Sequence, residues 1–347
     1  MTEGPDAGSG AVAGAGPRPG AGPGPGTGAV LVMGEALIDL VPSPDDPETL
    51  RAQPGGAPAN VAAGLARLST PSWFAGALGG DGFARMIEQR LASAGTRLGL
   101  CARSELPTTL AVADPGPDGT GYHFHLADTA TFQLPDRSAE VAEFAAVYVG
   151  GLGAVVEPAA EAVAATARAG AEQSLLVVDP NVREDRTLDP ELSVRRLREL
   201  CSLAHVVKAS DEDLGRLWPD TDPDETCRRL AGEGRLVVLT RGARGSTAYS
   251  GSAEPVSVPA VPVEVVNTIG AGDAFMAGVL HWLTANGAVG SAGSPGGGAT
   301  GVLGAGGVSR LPRDKVAAML GFASEVAASV VAQSGTEPSL PSMPARI

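Results

Sequence analysis

The stretch NTIGAGDAFMAG, Asn267 to Gly278, sets a glycine-rich turn and one acid at the start of a helical pattern. Upstream, Val261 to Val266 (VPVEVV) is short and β-branched and reads as a strand end. Downstream, Asp273 to Thr284 (DAFMAGVLHWLT) carries the apolar spacing of a helix. Gly270, Ala271 and Gly272 are therefore expected on a strand-to-helix turn. Glycine lets the backbone approach a ligand closely and adopt positive φ, and the first N–H groups of a helix lack an acceptor within it, so such a turn favours an anion. A carboxylate beside a bound phosphate is repelled by it unless it has a task there. Taking the proton of an attacking hydroxyl is such a task. Asp273 equally fits an acid that only complements the helix dipole, with glycines that only make a tight connection. The twelve residues alone leave both readings open.

Working outward, the 347-residue chain has room for one large α/β domain or two ordinary ones and buries a sizeable core. A formal net charge of −14 argues against nucleic acid as a partner, because phosphate backbones are bound by clustered Lys and Arg. Cys101, Cys201 and Cys227 form no C-x-x-C, which points away from a disulfide framework or zinc site and towards a cytoplasmic location. Met1 to Gly28 has Glu3 and Asp6 near its start and no apolar core, unlike a secretory signal. Val316 to Ala332 contains Glu325 and small polar residues, so it is expected as a buried amphipathic helix, with no membrane partner.

Met1 to Gly28 is almost entirely Gly, Ala and Pro and is expected to be a disordered extension. Gly287 to Ser309 has a similar bias and reads as a flexible insertion. Between them, Val30–Met33, Val147–Val149, Leu175–Val178, Val206–Val207 and Leu236–Leu239 are continuous apolar runs, as expected of strands buried on both faces. Helical patterns at Ala57–Leu68, Gly82–Ala94, Pro158–Ala169 and Glu191–Ala204 separate several of them. The alternation implies an α/β fold, a mostly parallel central sheet flanked by helices. Thr108–Asp114 and Gly121–Leu126 flank PGPDG and read as a hairpin outside that alternation, the mark of a small β lid.

Two phosphate-binding classes are excluded by spacing. GARGST, Gly242 to Thr247, lacks the lysine and spacing of a Walker A loop, and no G-x-G-x-x-G follows the first strand, which leads into GEALID instead. What does stand in order is GEALIDL (Gly34–Leu40), GGAPANVA (Gly55–Ala62), GALGGDGFA (Gly76–Ala84), DPNVR (Asp179–Arg183), VKASDEDL (Val207–Leu214), LTRGARGS (Leu239–Ser246) and IGAGDAF (Ile269–Phe275). In that order and spacing the chain resembles the ribokinase-like, or PfkB, carbohydrate kinases over about Val30 to Pro341, and within them GGAPANVA and GEALIDLVP are most similar to fructokinases. The resemblance implies a ribokinase-like fold and one kinase domain over 29–341, with a lid drawn from segments near 36–54 and 104–130.

It also implies roles. Asp273 would be the general base, with Gly270, Ala271 and Gly272 the anion hole for developing charge. Asp39, just past the first strand, would accept hydrogen bonds from sugar hydroxyls, although a capping role suits it equally. Gly55, Gly56 and Asn60 would cradle the sugar; ribokinases proper have a lysine where Ala57 stands, so a hexose is favoured over ribose. Lys208, Thr240 and Gly242 would lie near the phosphates and ribose of ATP, Ser324 near adenine, and Asn181 and Arg183 near phosphate or substrate, while a lone Arg183 also fits an exposed charge. Where relatives show N-x-x-E, this chain has Ser210 and Asp213; a shorter acid can still hold Mg²⁺ through water. The run Asp211–Asp213 also reads as a solvated helix start. Asn267 replaces an aspartate near the family's monovalent cation site, which puts potassium activation in question. His123 and His125 would share one face of the hairpin and read as sheet face or substrate wall rather than a metal pair. Trp73, Trp218 and Trp282 read as packing residues.

The expectation is an ATP- and Mg²⁺-dependent sugar kinase acting on the 6-hydroxyl of fructose. The nearest alternatives are 2-keto-3-deoxygluconate kinase, ribokinase and a nucleoside kinase. A sugar-binding regulator without catalysis is the competing class, and its expected mark is a damaged IGAGD turn, which here is complete. An exposed lid hairpin suggests a homodimer through the lid.

Overall fold

The computed structural model describes residues 28–43, 46–116, 119–287 and 305–332. The expected disordered tail, up to residue 27, and residues 288–304 of the expected insertion lie outside them, as do 333–347. In chain order the strands are β1 (Val30–Met33), β2 (Leu37–Ser43), β3 (Asp46–Gly55), β4 (Ser72–Ala75), β5 (Ala77–Leu78), β6 (Ala102–Arg103), β7 (Leu110–Gly116), β8 (Gly119–His125), β9 (Ala146–Gly150), β10 (Leu175–Asp179), β11 (Val206–Ser210), β12 (Leu236–Thr240), β13 (Ser246–Ser250) and β14 (Val256–Val258). The α-helices are α1 (Ala57–Arg67), α2 (Gly82–Ala94), α3 (Ala159–Gln173), α4 (Pro190–Leu203), α5 (Asp211–Leu217), α6 (Pro223–Gly232), α7 (Ala271–Ala285), α8 (Ala305–Val308) and α9 (Arg313–Val331).

Eight strands form the main sheet in the order β14-β13-β12-β11-β10-β9-β1-β4. Six of them, from β12 to β4, run parallel, and β13 and β14 close one edge antiparallel. The apolar runs form strands because both of their faces are covered. Val30 and Val32 of β1 face a core built with α1, α2, α7 and α9, while Leu31 and Met33 face a second core built with α3, α4, α5 and α6. A second sheet, β3-β2-β7-β8, is built from residues 37–55 and 110–125 and forms the lid, with β2 and β7 parallel and the outer pairs antiparallel. No helix among the described residues is long and apolar enough to cross a membrane.

One element departs from the sequence reading. Val261–Val266 is not a strand: the main sheet ends at β14, and Val263, Val265 and Val266 are exposed. Pro259 and Pro262 remove ladder donors on either side of Val261, and the segment is held instead by the N–H groups of Val266 and Asn267, which both donate to the Val331 carbonyl at the end of α9. The glycine turn therefore follows an irregular segment, not a strand.

Candidate active site

Gly270 is the N-cap of α7 at φ 79°, ψ 0°, a left-handed conformation that glycine adopts without steric cost. Ala271 and Gly272 already belong to the first helical turn, so the anion-binding feature is the α7 N-terminus itself, with Asp273 in that first turn. Asp273 does more than complement the dipole. Its Oδ2 accepts a 2.8 Å hydrogen bond from Asn60 Nδ2 in α1, across 213 residues of sequence. Burial raises its carboxyl above the usual range, against the lowering effects of the Asn60 hydrogen bond and the charges of Lys208, Arg183 and Arg90.

The residues expected on the sugar side meet at the same place. Asp39 in β2 is half-buried, and its carboxyl is pushed up to about 6, first by desolvation and then by the charge of Asp273. A Cβ on Gly55 would come 1.9 Å from Asp39 Oδ2, so the Asp39 carboxylate occupies the space left by the missing side chain. Gly56 takes φ 97° as N-cap of α1, with no room for a Cβ against the backbone of Glu35 and Ala36. Pro58, in the first turn, suits a helix start because its missing N–H would have had no partner. Asn60 thus meets Asp273 from one turn into a helix whose start is fixed by GGAPAN. Arg183 is exposed, and its charge acts on Asp39, Asp273 and Glu35.

Beneath the anion turn, Lys208 of β11 is 5 % exposed and donates to Asp179 Oδ2 at 2.8 Å. A Cβ on Gly272 would lie 3.2 Å from Lys208 Nζ, so this ammonium sits directly under the second residue of α7. Lys208 is therefore a buried cation behind the anion site rather than an open arm. Asp179, fully buried, is pushed up to about 6 chiefly by desolvation, and its Oδ1 accepts the N–H of Asn181, which holds φ 39°. The Tyr148 hydroxyl is buried with no hydrogen-bond partner among the described residues, and the charges of Asp179, Asp273 and Glu35 all act on it.

Two expected residues take different surroundings. Asp213 is not a solvated acid: it is 6 % exposed and forms a capping box with Ser210, its Oδ2 accepting the Ser210 N–H and hydroxyl and its Oδ1 the Val182 N–H at 2.8 Å. Three hydrogen bonds fill three of the about four acceptor positions of this carboxylate, so one lone pair of Oδ1 stays open, enough to accept from a metal-bound water. Ser324 lies in the middle of α9 and is 7 % exposed, a buried position rather than an open one. By contrast Thr240 and Gly242 stand at an open edge. Thr240 ends β12 opposite Ser210, and Gly242, at φ 53°, has free space where a side chain would be.

The main-sheet residues of this cluster lie at the C-terminal ends of parallel strands, the ligand edge of open α/β sheets. Residues 28–343 match the pfkB family carbohydrate kinase model. The chain belongs to the pfkB family of carbohydrate kinases. Among curated relatives, a fructokinase of Escherichia coli is 34 % identical over 273 residues, 74 % of this chain and 85 % of that one. Among solved structures, the fructokinase of Xylella fastidiosa with bound ATP has a TM-score of 0.77 at 25 % identity, covering 90 % of this chain and 95 % of that one. The Vibrio cholerae fructokinase with fructose, ADP and calcium bound gives 0.73 at 25 % identity, covering 89 % and 94 %.

The carbohydrate kinase also holds two residues beside these to which the sequence reading gives no role, Glu35 inside GEALIDL and Arg90 outside every quoted motif. Glu35 is fully enclosed at the β1–β2 corner, accepts the Gly153 N–H at 2.9 Å and leaves no room for a side chain on Gly151. Its carboxyl is pushed up to about 7 by burial, against hydrogen bonds from Gly153, its own backbone and Leu152, and the charge of Arg183. Arg90, on α2, donates to Asn60 Oδ1 at 2.9 Å. Its only signal in the sequence was a place on an amphipathic helix.

Proposed function

We propose that this carbohydrate kinase transfers the γ-phosphoryl group of ATP to the 6-hydroxyl of fructose, with Asp273 as the base. The observation that carries the reading is the convergence of Asp39, Asn60 and Asp273 at the N-terminus of α7. Three elements far apart in sequence bring hydroxyl-binding groups and a base to an anion site. The curated fructokinase relative and the fructose-bound neighbour support fructose as the acceptor.

Asp39 and Asn60, with the backbone at Gly55 and Gly56, hold the sugar hydroxyls, and Arg183 closes the open side. The reacting hydroxyl lies against Asp273 Oδ1, since Asn60 occupies Oδ2. Its proton passes to Asp273, its oxygen bonds to the γ-phosphorus, and the β–γ bridging bond breaks to release ADP. The N–H groups of the first turn of α7, backed by Lys208, stabilise the charge on the transferring group. Thr240, Gly242 and Asn181 border the nucleotide; Ser324, being buried, contributes packing. Magnesium would be held by the ATP phosphates, with Asp213 reaching it through water, and would neutralise phosphate charge. Asn267 supports potassium-independent activity, because its neutral side chain caps the turn by accepting the Ile269 N–H at 3.0 Å. β3 and β8, the edge strands of the lid sheet, support a homodimer through the lid, and the three free cysteines, Cys101, Cys201 and Cys227, support a cytoplasmic location.

A substrate panel tests the proposal. With MgATP, fructose is expected to release ADP faster than ribose, 2-keto-3-deoxygluconate or nucleosides, at the same rate in potassium and sodium buffers, and ³¹P NMR of the product is expected to show a 6-phosphate. A faster turnover of another acceptor, or phosphate on another carbon, would sink the assignment.

A further inference from the structure

A side-chain amide is nearly symmetric in shape and opposite in polarity at its two ends, so its neighbours decide which end meets a catalytic carboxylate. At Asn60, Nδ2 donates to Asp273 Oδ2 at 2.8 Å while Oδ1 accepts from Arg90 Nη1 at 2.9 Å. A guanidinium offers donors only. Rotating the Asn60 amide by half a turn would therefore set its NH₂ against Arg90 and its oxygen against the Asp273 carboxylate, making both contacts repulsive. The helix that carries Arg90 is itself pinned to the lid. Asp81, the N-cap of α2, accepts from Ala84 N–H at 2.7 Å and also from the N–H and hydroxyl of Thr108, just before β7.

We propose that Arg90 is a positioning residue for phosphoryl transfer: by holding the Asn60 carbonyl it fixes the amide donor on Asp273 Oδ2 and keeps Oδ1 turned to the sugar hydroxyl. The inference rests on Asp273 being the base of the proposed kinase reaction. A second effect runs through charge. The groups acting on Asp273 are Asn60 from α1, Lys208 from β11, Arg183 from the loop after β10 and Arg90 from α2, with Asp39, Asp179 and Tyr148 also coupled to it. Arg90 is one of three cations that favour the ionised base.

Three variants, Arg90→Met, Arg90→Gln and Arg90→Lys, separate these effects from simple α1–α2 packing. Arg90→Met is expected to lower kcat about tenfold, with a smaller change in sugar KM, since small misplacements of a catalytic group cost 10- to 10²-fold. Its acid limb of kcat should move to higher pH, because a cation that favours the carboxylate is gone. Arg90→Gln keeps a donor for Asn60 and should recover most of kcat while the limb stays displaced. Arg90→Lys should hold the limb in place. If Arg90→Met keeps kcat within about twofold and its acid limb unmoved, the proposal is overturned; the same holds if only Tm falls. Should Arg90→Met not fold, the Gln and Lys variants decide alone, a displaced limb in Gln beside an unmoved one in Lys being expected, and equal limbs overturn the proposal. A parent enzyme inactive on every sugar would instead overturn the reading beneath it, which the parent assay shows before any variant is made.

Discussion

The charge of Asp273 acts on Asp39 and disfavours its ionisation. The shift of Asp39 to about 6 is driven first by desolvation, and Arg183 and Arg90 only partly offset it. The sign follows: a raised carboxyl is ionised above its pKa and takes up a proton as pH falls through it, after which it can no longer accept from two sugar hydroxyls. kcat/KM for fructose, which reports the free enzyme, is therefore expected to fall about tenfold per pH unit below about pH 6. A profile flat down to pH 5 would contradict the placement of Asp39 in the sugar site. At this scale the sequence was legible where a residue sits inside a motif. Asp273, Asn60, Asp39 and Gly55 stand in GAGD, GGAPAN and GEALID, which mark backbone that must turn sharply or approach closely, and the structure brings them together. Arg90 stands outside every quoted motif, and Glu35, although inside GEALID, has no role readable there, since their contacts are with residues 30 and 118 positions away. Asp213 was seen as an acid, but only the folded loop shows it buried and accepting three hydrogen bonds.

The longest buried helices cross closely behind the site. A Cβ on Gly278 of α7 would lie 2.8 Å from the Ala323 Cα in α9, a contact with backbone that cannot rotate away. Gly278→Ala is expected to destabilise by about 1–3 kcal/mol, since overpacking a tight interface forces the backbone apart. That should appear as a Tm lowered by several degrees in thermal denaturation. An unchanged Tm would mean that α7 and α9 do not meet at this glycine. Element identity was legible wherever apolar period and length agreed, as in α1, α2, α4 and the five apolar runs that form β1, β9, β10, β11 and β12. It failed at Val261–Val266, where β-branched content met prolines and no neighbouring strand. A strand needs a ladder partner, and partnership is not written in the run itself.

Across the whole molecule, function depends on one sheet edge collecting distant chain segments. The β1–β2 corner brings Glu35 and Asp39, α1 brings Asn60, β10 and β11 bring Asp179 and Lys208, and α7 brings the anion site and Asp273. The alternating strands and helices made the α/β class legible, and the lid hairpin was readable from its turn. The spatial order β14-β13-β12-β11-β10-β9-β1-β4, which makes those segments neighbours, came from the structure alone. The central claim is that this assembly transfers phosphoryl from ATP to fructose with Asp273 as base, and fructose-dependent ADP release by the complete chain and by Asp273→Asn tests it most directly. The account predicts turnover in the parent and a loss of about 10²- to 10⁴-fold in the variant, with its Tm unimpaired. Turnover in the variant within about tenfold of the parent would contradict it.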